Sequence, residues 1–573
     1  MNYLKVFDHW KIDEFFDQAT RAELMALDSV ADAKEIEDRF YRDLEFGTGG
    51  LRGLMGAGTN RMSKYTIGKA TKGLADYLIA IYGADVCQRR GVVIGYDTRN
   101  NSRFFAETAA NVLSGMGIKV YLHAHARPTP QLSFSVKFWN ALAGVVVTAS
   151  HNPKEYNGYK IYDEFGCQLV PWQAKQVISY MNKVDYKDVE FKGDQSLIQM
   201  GDVTDNLISA VMKQSRNSDA IVKENLHIVY TPLHGTGNVP VTKTLLLDGF
   251  THLDHVETQI VPDGNFPTVI SPNPEDRKAL ILGIEQAART GADIVLGTDP
   301  DCDRVGVAVK TVDKVTDEVN YKLVTGNQMG ALLTDYVLSH TDLSIVNNPA
   351  VVKTIVTSDL GAEIAQKYGL TVYSTLTDFK FIGEKITQFE KAWTEDNKAQ
   401  QYTFVLGYEE SCGYLVGTHT RDKDAVVSSM LICEMAAEYK AQGKTLLDRM
   451  NELYAEYGYY CDALDSFTSK GKDGLEKISS MMSELRKNGS PFVDTEKVID
   501  YSDPVDAEKG FGTLPISNVL KYVLVEGSWV AVRPSGTEPK IKIYYSVKGI
   551  NRDAAEEKLA KIQDIIRSKL RLN

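Results

Sequence analysis

From Lys11 to Leu44 acidic and apolar residues interleave with helical spacing, and the pattern closes on Phe46-Gly47-Thr48-Gly49-Gly50-Leu51-Arg52-Gly53, where the density of glycine predicts a loop. Beyond it, apolar runs predict strands at Gly91 to Tyr96, Lys119 to His123 and Ala143 to Thr148. They are separated by a helical stretch to about Met116 and by a helix that opens at Pro128-Thr129-Pro130. Strand alternating with helix marks a mostly parallel sheet covered on both faces. The alternation returns at Leu226 to Leu233 with Ile294 to Gly297, and again at Val351 to Thr357 with Tyr402 to Leu406. Three similar α/β units are the economical reading. The last stretch differs: strands are predicted at Lys497 to Tyr501, Tyr522 to Val525, Ser528 to Val532 and Ile541 to Ser546, then an amphipathic helix from Arg552 to Leu570. This is the pattern of a smaller α+β domain, with Lys470 to Val493 just inside it. The expected fold class is therefore α/β, with three similar domains of mixed, mostly parallel sheets and a C-terminal α+β domain.

At 573 residues the chain is too long for one core, and a prior of ~150 residues per domain gives about four. The expected divisions are 1–205, 206–322, 323–458 and 459–573. Hydrophobic residues make up 43% and charged residues 24%, without a long polar bias, so little disorder is expected. The net charge of −12 repels polyanions and no Lys/Arg run stands out, which argues against nucleic acid and requires a local basic pocket for any anionic substrate. No apolar stretch approaches the ~20 residues of a membrane span, and Asp8 and Asp13 stand where a signal peptide would be apolar, so a cytoplasmic location is expected. The six cysteines form no C-x-x-C pair and read as reduced thiols.

Four constellations carry chemistry. Thr148-Ala149-Ser150-His151-Asn152-Pro153 follows a strand, the place where open α/β sheets bind ligands. Ser150 lacks the flanking glycines of a hydrolase elbow, and a plain turn remains the alternative. Asp299-Pro300-Asp301-Cys302-Asp303-Arg304 follows another strand; three alternate carboxylates repel one another unless a hard cation such as magnesium or manganese holds them. Arg304 and Lys310 occupy the EF-hand glycine and glutamate positions, which excludes that loop. Arg304 suits an anion shared with the metal. Arg533-Pro534-Ser535-Gly536-Thr537-Glu538-Pro539 lies between two strands and offers a phosphate cradle or a simple hairpin turn. Gly407-Tyr408-Glu409-Glu410-Ser411-Cys412-Gly413 offers acceptors for sugar hydroxyls or an acidic helix N-terminus. Arg421-Asp422-Lys423-Asp424 is a solvated charge run or a further phosphate contact.

Nucleotide signatures fail. Gly443-Lys444-Thr445 lacks the first glycine of a P-loop, and Pro240 interrupts the fingerprint opened by Gly235-Thr236-Gly237. A serine, a hard-metal site and a phosphate cradle without a nucleotide site point to phosphate moved within or between sugars.

Taken in order, the Ser150, Asp299 and Arg533 motifs, about 150 and 230 residues apart, resemble the α-D-phosphohexomutase family of phosphoglucomutases and phosphomannomutases. The length and Gly47-Thr48-Gly49-Gly50-Leu51-Arg52-Gly53 resemble its long bacterial phosphoglucomutase branch. The resemblance implies four domains around a central cleft and a phosphoryl group carried by Ser150. It implies Mg²⁺ held by the Ser150 phosphate, Asp299, Asp301 and Asp303, sugar hydroxyls on Glu409 and Ser411, and the non-reacting phosphate on Arg533, Ser535, Gly536 and Thr537. Arg52, Arg304 and Lys423 are further anion contacts, and His151, Lys160 and Lys380 are candidate bases. Glucose 1,6-bisphosphate is the expected intermediate and activator, sugar phosphates are the expected partners, and the chain is expected as a monomer or homodimer.

Two departures stand out. Tyr408 precedes the paired glutamates where the glucose-type loop has glycine, a feature shared with the branch that includes animal pentose-phosphate mutases, although Ser411 matches the glucose form. Asp378 stands before Phe379-Lys380 where the family usually has glycine. Phosphopentomutase, phosphomannomutase, sugar-bisphosphate synthase and a non-catalytic sugar-phosphate-binding protein are the competing readings.

Overall fold

The computed structural model describes residues 3–47, 50–313, 316–391, 401–468, 472–506, 513–535 and 540–572. They form two compact units, one of Met1–Ser215, Asp219–Leu323 and Thr418–Met430, the other of Arg216–Ser218, Val324–Gly417 and Leu431–Asn573.

The first unit holds two sheets. One has the strand order Gly50–Leu54, Tyr156–Tyr162, Ala143–Val147, Val92–Tyr96, Val120–His123, Ile198–Gly201. Its last four strands run parallel and its first two antiparallel, so an α/β core carries a hairpin-like edge. The central strands Val92–Tyr96 and Ala143–Val147 are buried throughout, as expected of strands covered on both faces. The other sheet has the order Val319–Val324, Val305–Val312, Ile294–Thr298, Ile228–Thr231, Leu253–His255, with the last three strands parallel. The predicted N-terminal helical stretch is three short helices, Tyr3–Ile12, Gln18–Met25 and Ala33–Phe40. Phe7, Trp10, Phe16, Leu24, Ile36 and Phe40 bury a small aromatic core against Tyr65.

The second unit also holds two sheets. Thr371–Thr375, Pro349–Thr354, Thr403–Glu409 and Gly413–Val416 form a sheet whose last pair is antiparallel. The C-terminal sheet is antiparallel, in the order Tyr459–Thr468, Lys540–Gly549, Trp529–Pro534, Leu520–Leu524, Thr495–Asp500. One of its faces packs on the helices Lys472–Asn488 and Arg552–Leu570 through residues such as Val530, Val532, Ile543, Met482 and Ile566. Its first strand lacks a sequence signal because Tyr459–Thr468 is half-buried over most of its length, with exposed positions only at Leu464, Ser466 and Thr468, and includes Asp462 and Asp465.

Among the described residues no helix is long and apolar enough to cross a membrane.

Candidate active site

In the first unit, Ser150 lies three residues beyond the strand Ala143–Val147 with a left-handed backbone, φ 53°. A non-glycine residue rarely adopts this conformation without support. Here the support is Arg99, whose side chain is fully buried. Its guanidinium donates to the carbonyls of Ser150, Asn152 (2.5 Å), Pro153 (2.9 Å) and Tyr156 (3.2 Å). Asp97, equally buried, stands 3.3 Å from Arg99 Nε and accepts from the hydroxyls of Ser102 and Thr148, each at 2.6 Å. Thr148 Oγ1 then receives the Ser150 amide at 2.8 Å. Burial raises the Asp97 carboxyl and lowers the Arg99 guanidinium from their ordinary ranges, so each ion depends on the other. The sequence reading missed this pair. Its signal was available, since Asp97 directly follows the parallel strand Val92–Tyr96.

The Ser150 hydroxyl donates to Asp299 Oδ2 at 2.9 Å and lies 3.1 Å from His151 Nδ1. Burial, reinforced by the positive charges of Arg304, Arg52, Arg99 and Lys160, holds the imidazole well below its ordinary range and therefore neutral at pH 7. Lys160, on the neighbouring strand Tyr156–Tyr162, puts its ammonium 3.4 Å from Asp301 Oδ2. Arg52 donates to the Asn152 side chain at 3.2 Å, so it stands over the same loop.

Asp299, Asp301 and Asp303 are all buried, and one oxygen from each lies within 4.8 Å of the others. Asp299 Oδ1 accepts the amides of Asp303 (3.1 Å) and Arg304 (3.0 Å), and Asp301 Oδ2 accepts Thr129 Oγ1 (2.9 Å). Burial and the charges of Asp303 and Asp301 push the Asp299 carboxyl well up. Against its own burial, Asp301 is held at about 2, chiefly by the Lys160 charge. Buried oxygens Asp301 Oδ1 and Asp303 Oδ1 have no hydrogen-bond partner. Crowded hard oxygens, two of them unbonded, fit a cation of the magnesium type.

The loop rests on the Gly235-Thr236-Gly237 motif that had opened like a nucleotide fingerprint. Thr236 donates through its amide and its hydroxyl to Pro300 O, each at 2.8 Å. A Cβ on Gly235 would run into Pro300, and one on Gly237 would lie 2.6 Å from Thr298 Oγ1 and 3.0 Å from Cys302 Sγ. These glycines serve close packing under the acidic loop.

Arg304 Nη1 pairs with Glu275 at 2.5 Å. Lys423 lies 3.0 Å from Asp303 Oδ2 and 3.3 Å from Asp422, while Asp422 accepts the Tyr162 hydroxyl at 2.6 Å. The stretch from Arg421 to Asp424 is thus largely buried, so the solvated-run reading is set aside.

In the second unit, Glu409 ends the strand Thr403–Glu409, and Glu410, Ser411 and Cys412 turn into the strand Gly413–Val416. The acidic pair therefore sits in a strand-to-strand turn; the helix N-terminus alternative is overturned because Gly413-Tyr414-Leu415-Val416 pairs back on Glu409 to Leu406. Glu410 Oε2 accepts the hydroxyls of Thr357 (3.1 Å) and Thr354 (3.4 Å). Glu409 Oε1 accepts the Asp378 amide at 3.0 Å. Asp378 has φ 101°, a glycine-like backbone, and its carboxylate stands 3.3 Å from the buried Lys380 ammonium. Arg533 lies near the end of the strand Trp529–Pro534, and Ser535 donates its amide to Lys540 O at 2.7 Å. Tyr544 joins this group: burial and the Glu410 charge push its hydroxyl up, with Arg533 acting in the opposite sense. Gly536 and Thr537, with Thr48 and Gly49, lie outside the described residues.

Comparison with known proteins identifies the family. The four phosphoglucomutase/phosphomannomutase domains match in order: alpha/beta/alpha domain I over 43–188, domain II over 205–313, domain III over 325–457 and the C-terminal domain over 484–565. A phosphoglucomutase of Staphylococcus haemolyticus is 35% identical over 559 residues, 95% of this chain and 96% of that protein. A phosphoglucomutase of Staphylococcus aureus is 36% identical over 539 residues, 92% and 94% of the two chains. The open form of the Paramecium phosphoglucomutase pp63/parafusin shares the fold with a TM-score of 0.68 at 16% identity, covering 92% of this chain and 96% of that one. With all four domains present in order, the chain belongs to the phosphoglucomutase/phosphomannomutase family.

Proposed function

We propose that the protein is a phosphoglucomutase that interconverts glucose 1-phosphate and glucose 6-phosphate through phosphorylated Ser150 and glucose 1,6-bisphosphate. One observation carries this reading: a buried serine hydroxyl 2.9 Å from the first of three clustered aspartates. The glucose assignment draws on the long, one-third-identical relatives named phosphoglucomutase. We assign four domains at 1–205, 206–322, 323–458 and 459–573.

The chemistry follows from the residues. Ser150 as a free alcohol is a weak nucleophile, but as a phosphate ester it is a donor. A sugar hydroxyl loses its proton to a base and its oxygen bonds to phosphorus. The P–O bond to Ser150 breaks, and the electron pair stays on Oγ. Mg²⁺ held by Asp299, Asp301, Asp303 and the phosphoserine would supply charge neutralisation at the transferring phosphoryl oxygens. Arg52 and Lys160 add positive charge beside the same loop. His151, neutral and adjacent to Oγ, is the base we favour, while Lys160, whose ammonium faces Asp301, acts through its charge; Lys380, paired with Asp378, serves to orient sugar. When the bisphosphate presents its other phosphate, Ser150 takes it back by the reverse step, and isomerisation needs no ATP.

Glu409 and Ser411 hold sugar hydroxyls in this scheme. Arg533, Ser535, Gly536 and Thr537 hold the phosphate that does not react, and Arg304 and Lys423 are further anion contacts. Coupled assays with glucose 1-phosphate, mannose 1-phosphate and ribose 1-phosphate test the assignment. Glucose should give the highest kcat/KM, and a glucose rate below the other two would overturn it.

A further inference from the structure

The C-terminal sheet turns Val530, Val532, Ile543 and Tyr545 to its helices. Its other face bears Asp462 opposite Ser546, Ser546 opposite Trp529, and Trp529 opposite Val523. Because side chains alternate along a strand, Lys521 lies on this face two residues from Val523, and Arg533 lies on it four residues from Trp529.

This polar face is fastened to the segment after the strand Pro349–Thr354. Lys521 Nζ donates to Ile355 O at 2.7 Å and sits 4.0 Å from the Trp529 ring centre. Trp529 Nε1 donates to Asp359 Oδ2 at 2.9 Å, and Asp359 Oδ1 pairs with Lys353 Nζ at 2.8 Å. The hydroxyls of Ser358 and Ser546 are 3.2 Å apart. Lys353, Lys521 and Trp529 are all buried. The same segment reaches the acidic turn, since Lys353 Nζ donates to Thr357 O at 2.9 Å and Thr357 Oγ1 donates to Glu410 at 3.1 Å.

A few residues, Thr354 to Asp359, are therefore bonded to Glu410 on one side and to the Arg533-bearing sheet on the other. Simple adhesion would be served as well by apolar side chains, because burying two lysines carries a desolvation cost, which for Lys521 pulls the amine down to about 7. What the charged contacts add is direction, through defined donors and acceptors.

We propose that Lys521 and Trp529 are positioning residues that set the separation between Arg533 and the Glu409-Glu410 pair, so that a sugar phosphate meets its hydroxyl and phosphate partners together. The proposal rests on Arg533 and Glu409 being substrate ligands. Its test is a double-mutant cycle: Lys521→Met and Trp529→Phe, each alone and with Arg533→Ala, with KM and kcat measured for glucose 1-phosphate. Each single variant should raise KM about tenfold with kcat within about twofold, the loss expected when one charge-assisted phosphate contact is misplaced. In the Arg533→Ala background neither should raise KM further. Additive effects, or an unchanged KM in both single variants, would overturn it. Trp529→Phe keeps a smaller aromatic ring at this buried position and loses the N–H, so it decides the matter if Lys521→Met fails to fold. Absence of turnover in the unmodified enzyme would defeat the mutase reading alone; the same cycle is then read from calorimetric binding of glucose 1-phosphate.

Discussion

The proposed functional residues of the first unit and those of the second are held in different ways. Around Ser150 the support is interior: one buried guanidinium bonded to four carbonyls of a single loop, one buried carboxylate behind it, and glycines that let the acidic loop approach its neighbours. Around Arg533, Glu409 and Lys380 the support is spread over hydroxyl contacts to Glu410, the buried Lys521, Trp529 and Lys353–Asp359 contacts, and one backbone position, Asp378, held at φ 101°. A reacting group misplaced by ~1 Å can cost about 10²-fold in rate, whereas a recognition surface that must accept either end of one sugar gains from adjustable contacts.

The most severe way to break this contrast is Ser150→Ala, which should lower turnover by at least about 10⁴-fold in the coupled assay while leaving glucose 1-phosphate binding within a few-fold. Chelation should come next. Stripping divalent metal is expected to lower kcat on the order of 10³-fold, with recovery on adding Mg²⁺. Arg99→Lys keeps a cation but loses the fork that spans four carbonyls, so kcat should fall ~10²-fold with KM little changed. Arg533→Ala should show the reverse split: KM rises about ten- to a hundredfold with a small change in kcat. Smallest is Asp378→Gly, which removes a left-handed non-glycine residue and should stabilise the fold by about 1 kcal/mol in denaturant titration. If its sugar preference also shifts across the three-sugar panel, the strain serves recognition; a destabilised variant would remove the strain from the account.

Much of this was legible in the sequence. The strands ending before Ser150 and Asp299 are short apolar runs buried on both faces, a pattern that needs no partner information. The final helix, Arg552–Leu570, falls where its amphipathic spacing puts it. Less legible were features set by distant contacts. Tyr459–Thr468 becomes a strand through ten paired positions with Lys540–Gly549, although only one of its residues, Tyr460, is fully buried. Gly443-Lys444-Thr445, so near a phosphate motif, ends one helix and caps the next, with Thr445 receiving the Asp448 amide at 3.2 Å. Arg99 could be flagged as lying after a strand, but its role is visible only once the chain brings residues 150 to 156 over it. Lys521 and Trp529 gave no signal at all, since a lysine just before a predicted strand and a tryptophan inside one ordinarily face solvent and core.

Intact mass spectrometry of the protein before and after incubation with glucose 1,6-bisphosphate and Mg²⁺ bears most directly on the account. It predicts a gain of one phosphoryl group, mapped to Ser150, that is lost on adding excess glucose 6-phosphate and never appears in Ser150→Ala. A phosphoryl group on another residue, or the same gain in Ser150→Ala, would contradict it.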